Sequence, residues 1–215
     1  MVSVDQLISP SPGLIAQITG ILTTKRYKCA TVYVDQYSRL GYIHLQKSTS
    51  GDDTVEGKKA FEQFAKDKGI TIEGYCADNG IFKDNTWVQA CKTNKQTLKF
   101  AAVGAHHQND HAERRIRELQ DIARTMLIHA NKRWPTAVTT NLWPYAIRMA
   151  NEVLNNTPSM QDAKRRSPLQ IFANTKVAVN PKHWHPFGCP VYVLDSRLQN
   201  NKIYHKWQQK FEVGI

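Results

Sequence analysis

Three carboxylates stand at positions where chemistry is possible: Asp5 in "VSVDQL", Asp78 at the end of "EGYCAD", and Glu113 in "NDHAERRIREL". Asp78 and Glu113 are 35 residues apart. Strand ends and a helix start can converge on one sheet edge, where three carboxylates cannot all stay ionised without strong repulsion unless a cation neutralises them. Hard oxygen donors suit Mg2+ or Mn2+. Two such ions roughly 3.5–4 Å apart activate a water or a 3′-hydroxyl in phosphodiester chemistry. On that reading the acids hold metal, and the arginines that follow Glu113 hold phosphate. A plainer reading stays open, because the chain has 18 acids and Glu113 can be a first-turn helix acid favoured by the dipole.

The elements that would position these acids follow from the pattern. "YKCATVYVD" (Tyr27 to Asp35) and "LGYIHLQ" (Leu40 to Gln46) are β-branched and aromatic around a turn, and predict a hairpin. "DDTVEGKKAFEQFAKDKG" predicts a helix capped at Asp52 or Asp53 and ended by Gly69, with Val55, Phe61, Phe64 and Ala65 on one face. "ITIEGYCAD" predicts a short strand, Lys83 to Asn94 a helix, and "TLKFAAV" a further strand. Alternating strands and helices after a hairpin make a mixed sheet flanked by helices.

From His111 the chain is strongly helical, with Ala112, Ile116, Leu119, Ala123, Met126 and Ala130 on a buried face. At 100° per residue, Glu113, Arg117, Gln120 and Arg124 form a second stripe about a quarter-turn away. A last helix is expected from Asn141 as N-cap to the break at Thr157-Pro158. Beyond it come an exposed basic stretch "MQDAKRRSP", a short ordered "PLQIF" and a strand in "FGCPVYVL". The expected division is a main domain over 1–158 and an extension over 159–215.

Composition narrows the class. The 215 residues, 41% of them hydrophobic, suffice for one sizeable core. No run reaches the ~18 apolar residues of a membrane span, and "MVSVDQLISPSPG" has no secretory-signal character. The four cysteines form no CxxC pair, which speaks for buried reduced thiols. His107 and His111 are four apart, but no second ligand pair lies nearby, which argues against zinc. The net charge of +11 is unevenly placed: 13 Lys/Arg oppose 12 Asp/Glu through Glu113, and 16 oppose 6 beyond it. A basic half of this kind meets a polyanion, most often nucleic acid.

Taken together, "VDQLISPSPG", "YVDQYSRLGYIHL", "CADNGIF", "QNDHAERRIREL", "LWPYAIRMANEVLNNTPS", "SPLQIF" and "FGCPVYVLD" resemble, in order and over nearly the whole chain, the integrase of Ty1/copia-type long-terminal-repeat retrotransposons, D,D-35-E spacing included. The resemblance implies a ribonuclease-H-like α/β fold with a five-stranded mixed sheet. It also implies a strand transferase that trims and joins DNA 3′ ends with Mg2+, Mn2+ substituting, held by Asp5, Asp78 and Glu113 as two ions. Asp35 in "VDQYSR" competes with Asp5 for the first place, and otherwise reads as a turn acid paired with Arg39. Asn79, Asn109, Arg117 and Gln120 match positions where the broader integrase family approaches DNA; Arg114 and Arg124 add phosphate-binding charge.

The implied partners are double-stranded DNA and further copies of the chain, with no membrane. The implied setting is intracellular, a cytoplasmic particle and then the nucleus, although "KRR" at Lys164 to Arg166 is too short to read as an import signal. Asp110 departs from the family, which usually has glycine there; an extra acid could join the metal cluster or weaken DNA approach. An upstream His/Cys zinc segment is not seen and "WQQKFEVGI" is short of a full C-terminal domain, so an excised core is expected. Two rivals remain: a nuclease of the same fold that only hydrolyses, and a non-catalytic DNA-binding or assembly module.

Overall fold

The computed structural model describes residues 1–16, 23–101, 109–160 and 162–191, with the backbone of 212–213. Twelve elements follow in the order β1 (Val2–Gly13), β2 (Tyr27–Asp35), β3 (Gly41–Gln46), α1 (Gly51–Lys66), β4 (Gly74–Ala77), α2 (Asn85–Thr93), β5 (Thr97–Phe100), α3 (Asp110–Arg133), α4 (Trp143–Asn156), α5 (Pro168–Phe172), β6 (Pro190–Val191) and β7 (Glu212–Val213). Strands β1 to β5 make one mixed sheet ordered β3-β2-β1-β4-β5. The pairs β1–β2 and β2–β3 are antiparallel, whereas β1–β4 and β4–β5 are parallel. The expected ribonuclease-H-like arrangement is the one observed.

Strand periodicity explains the two cores. On one face of the sheet Val2, Val4, Tyr33, Tyr75 and Ala77 pack against Phe61 and Ala65 of α1 and Trp87 of α2. On the other, Leu7, Ala30, Val32 and Val34 pack against Leu119 and Ala123 of α3 and Ala146, Ile147 and Ala150 of α4. Covered on both faces, β2 is buried continuously from Cys29 to Val34. Alternation along β1 puts Asp5 on the face of Leu7, toward α3.

Several local expectations need correction. Ser50, not Asp52 or Asp53, caps α1: its hydroxyl accepts from the Asp53 amide at 3.2 Å. The Asp53 carboxylate is engaged instead by the Ser48 amide and hydroxyl. Asn141 does not cap α4 either. A 3-10 turn over Thr140–Leu142 leads into the helix, whose cap residue Leu142 offers no side-chain bond. The helix gains a pre-set start from Pro144. Of the strand expected in "FGCPVYVL", residues 187–191 are described: Phe187 and Gly188 form a turn, and Pro190–Val191 is strand, pairing antiparallel with Glu212–Val213.

Past Thr157 the chain returns to the first core. Asp162 takes bonds from the Arg166 guanidinium and from the Lys164 and Arg166 amides, folding the basic stretch on itself. A capping box between Ser167 and Gln170 starts α5. Phe172 then stacks on Phe64 of α1, ring centroids 6.3 Å apart.

Candidate active site

Register alone brings two of the acids together. The parallel pairs Val2–Tyr75, Ser3–Cys76 and Val4–Ala77 put Asp5 level with Asp78, which immediately follows β4 while β1 continues. The third is delivered by α3. Asn109, immediately before that helix, is wholly buried and donates from Nδ2 to the Val4 carbonyl at 3.1 Å. This tether fixes the first turn of α3, which carries Glu113, beside the strand residue that precedes Asp5.

The electrostatics report the convergence. The Asp5 carboxyl is pushed up to about 6, chiefly by burial and then by the negative charges of Asp78 and Glu113, against the lowering effect of the bond it accepts from the Gln6 amide. That bond is 2.7 Å long. Asp78 is braced in the same way, accepting from the Asn79 amide at 2.6 Å. Asp35 takes no part: it pairs in register with Val2, about 10 Å along the strand from Asp5 at ~3.4 Å per residue. It is a turn acid, accepting from the Ser38 amide and hydroxyl at 2.8 and 2.7 Å, and the guanidinium of Arg39 turns away to His111.

Three hard oxygen donors acting on one another at a sheet edge are, in donor chemistry, a fit for a hard divalent cation. Among the described residues, however, no group of three His, Cys, Asp or Glu side chains is gathered closely enough to hold one. His107 lies outside the described residues.

The polar residues expected near DNA divide into two sets. Arg114, Arg117, Gln120 and Arg124 are exposed on α3. Gln120 and Arg124 border a groove of about 570 Å3 whose other walls are Ile8 and Pro10 of β1 and Trp143 of α4. Asn79 and Asn109 also have structural duties. Asn79 donates from Nδ2 to the Ala101 carbonyl at 2.7 Å, closing the turn after β4 onto the end of β5. Asn109, being buried, cannot touch a ligand directly and acts through α3. Its Oδ1 is buried without a partner among the described residues.

Asp110 is neither a bystander nor a fourth member of the acid cluster. Its carboxylate pairs with Arg114 at 2.7 Å and lies 4.0 Å from Arg117, engaging two arginines at the mouth of the site.

Sequence reasoning missed Arg115, which is only 6% exposed. It donates from Nη2 to the Arg39 carbonyl. Beside it, Asn151 and Asn155 of α4 both donate to the Gly41 carbonyl, at 2.9 and 2.7 Å, and the Asn155 Oδ1 accepts from the Gly41 amide. Arginine in the run "ERRIR" reads as solvated; the available signal was the asparagine pair at i and i+4 on a helix that is otherwise apolar on that face.

No protein-family model matches the chain, and no curated protein matches it. Solved structures do match in fold. The catalytic core domain of BIV integrase is similar with a TM-score of 0.55 at 14% identity, over 80% of this chain and 93% of that one. The HTLV-2 integrase catalytic core domain, determined in complex with magnesium in a dimeric form, is similar with a TM-score of 0.52 at 17% identity, over 80% and 93%. At such identities the likeness is one of architecture: this chain has the ribonuclease-H-like fold of an integrase catalytic core.

Proposed function

We propose that this chain is the catalytic core of a Ty1/copia-type integrase, a polynucleotidyl transferase that processes the 3′ ends of element DNA and joins them to target DNA. The observation that carries the reading is that, in an integrase-core fold, strand register sets Asp5 level with Asp78 and the Asn109 tether holds the turn carrying Glu113 to β1; the charges of both acids add to burial in raising Asp5. The HTLV-2 core was determined with magnesium, which supports Mg2+ here, with Mn2+ as its substitute. Asp5, Asp78 and Glu113 would hold the ions, two by the chemistry proposed. When bound, they lower the pKa of an attacking water or 3′-hydroxyl and offset charge on the phosphate.

The chain's own residues supply the rest. Ionised Asp5 is costly without a cation, so cation binding and deprotonation of Asp5 are linked. Arg117, Gln120 and Arg124 line the approach to Glu113 and are placed to hold backbone phosphates of a DNA end, while Arg114 adds positive charge beside them. Asn109 keeps α3 in register with β1, and Asn79 holds the turn that presents Asp78. In-line displacement by water trims the end; displacement by the resulting 3′-hydroxyl joins it, and no covalent protein intermediate is needed.

The dimeric form of the HTLV-2 core supports self-association of this chain. The catalytic unit is taken as 1–158 and the extension as 159–215, with α5 seated on the core through Phe172.

The test is cutting and joining of a labelled duplex bearing the element's end, with Mg2+ or Mn2+, by the intact chain and by Glu113→Gln and Asp78→Asn. Joined products that disappear in both variants are expected. Metal-dependent cutting without joining would make the chain a nuclease. DNA binding that all three proteins share, with no reaction in any, would make it a binding module.

A further inference from the structure

We propose a second site: a phosphate-binding pocket formed by Arg39, His111, Arg114 and Arg115 on the flank of α3 opposite Glu113. At 100° per residue, His111, Arg114, Arg115 and Glu118 fall within about 100° of one another, whereas Glu113, Arg117, Gln120 and Arg124 occupy the far side of the helix axis. These two sets flank the core-facing stripe of Ala112, Leu119 and Ala123. The pocket therefore lies on a different flank from Glu113, with Arg114, which Asp110 links to Arg117, on its near edge.

A cavity of about 190 Å3 lies there, walled by Val34, Arg39, His111, Arg114, Arg115 and Glu118. At ~30 Å3 per water, it has room for a tetrahedral oxyanion and a few waters. Three guanidinium groups share the wall with one carboxylate, that of Glu118. Arg114 is tied on its outer side to Asp110. Arg39 has no acid partner among the described residues; its guanidinium rests on the His111 ring, 2.8 Å from Nε2.

Arg115 makes the pocket a built one. As a residue it is only 6% exposed, yet the one hydrogen bond it makes among the described residues goes to the Arg39 carbonyl, and no carboxylate there is within ion-pair distance, Glu118 acting on its charge only from further off. A guanidinium has five N–H donors, and burying a charge with most of them unspent is costly. The fold nonetheless makes space for it: a Cβ on Gly41 would come within 3.2 Å of the Arg115 Nε and 2.5 Å of the Asn151 Oδ1. An oxyanion in the cavity would take the unspent donors and relieve the repulsion among the arginines, in the geometry that guanidinium recognises best. The competing account is that Arg115 only clamps the β2–β3 turn.

The ligand chemistry is phosphoryl oxygen, from free phosphate or from a nucleic-acid backbone. Inorganic phosphate and, separately, a duplex of arbitrary sequence are titrated into the full chain without divalent metal. The proteins are wild type, Arg39→Gln, Arg115→Lys with its fold checked by circular dichroism, and the exposed control Lys92→Gln. Phosphate binding weakened about tenfold by Arg39→Gln, and unchanged by Lys92→Gln, would establish the pocket with free phosphate as a sufficient ligand. If phosphate alone does not bind, but Arg39→Gln lowers the salt dependence of duplex binding by about one phosphate contact, the backbone is the source. If Arg39→Gln alters neither titration, the proposal is overturned and Arg115 is a clamp, whatever Arg115→Lys does. The readout is binding without metal, so failure here leaves the strand-joining test of Glu113 untouched.

Discussion

Replacing Asp5 by asparagine should make the metal-free protein more stable at neutral pH, even though it removes a residue proposed to be essential. The Asp5 carboxyl titrates near 6 in the fold against an ordinary 3.8, because burial and the charges of Asp78 and Glu113 disfavour its ionised form. A raised carboxyl favours the folded state while protonated. Its contribution is full below about pH 4, is lost as pH rises through 6, and is absent above. The difference corresponds to about 3 kcal/mol at ~1.36 kcal/mol per pKa unit, a ceiling because the carboxylate is partly solvated. Urea unfolding in chelator at pH 4 and pH 7.5 measures it. Wild type should lose about 1–3 kcal/mol relative to Asp5→Asn between the two pH values, read from midpoints at constant m. Added Mg2+ at pH 7.5 should return stability to wild type and not to the variant, by linkage. If the two proteins keep a constant difference across that range in chelator, Asp5 is not raised in the fold, and neither its burial nor the charges of Asp78 and Glu113 act on it as argued.

Asp110→Asn should release Arg114 and Arg117 from the pairs at 2.7 and 4.0 Å. Exposed pairs are worth about 0.2–1 kcal/mol, so duplex binding should tighten by a few-fold at most, with a steeper salt dependence in a fluorescence-anisotropy titration. Asn109→Ala should cost only about 1 kcal/mol in thermal denaturation, because it removes an unpartnered Oδ1 along with the bond to Val4. Strand joining should nonetheless fall about tenfold or more as Glu113 loses its placement. Gly41→Ala should destabilise by about 1–3 kcal/mol, since the added methyl meets Asn151 at 2.5 Å; a neutral result would mean α4 can move off the turn.

What the sequence disclosed and what it hid follow from how each residue is determined. Hairpin, helices and alternation are local patterns, whereas only strand order sets Asp5 level with Asp78. Asp5 could be told from Asp35 only by register, because both lie in β-rich runs of similar composition; pairing of Val4 with Ala77 settles which acid stands beside Asp78. Asn79 and Asn109 read as polar residues beside acids, hence as DNA contacts. Each instead gives its side-chain Nδ2 to a backbone carbonyl, of Ala101 and of Val4, 22 and 105 residues away. Caps failed for a related reason. Ser50, Asp52 and Asp53 are all competent, and the choice fell on Ser50 because Ser48 engages the Asp53 carboxylate.

The long helix α3 is where these levels meet. Its core face is ordinary, with Ala112, Leu119 and Ala123 wholly or nearly buried. Its two flanks are both cationic but differ in kind. Arg117 and Arg124 on the Glu113 side are solvated, only Arg117 approaching Asp110 at 4.0 Å, so their charge is available to a ligand at little desolvation cost. Arg115 on the other side is buried, held by the Arg39 carbonyl and spaced by a glycine, and no carboxylate among the described residues pairs with it directly, Glu118 acting only at longer range. A helix serving one polyanion on one face would not need the second flank built in that way. The different engineering of the two flanks argues that α3 meets phosphate twice, once where the acids converge and once behind them.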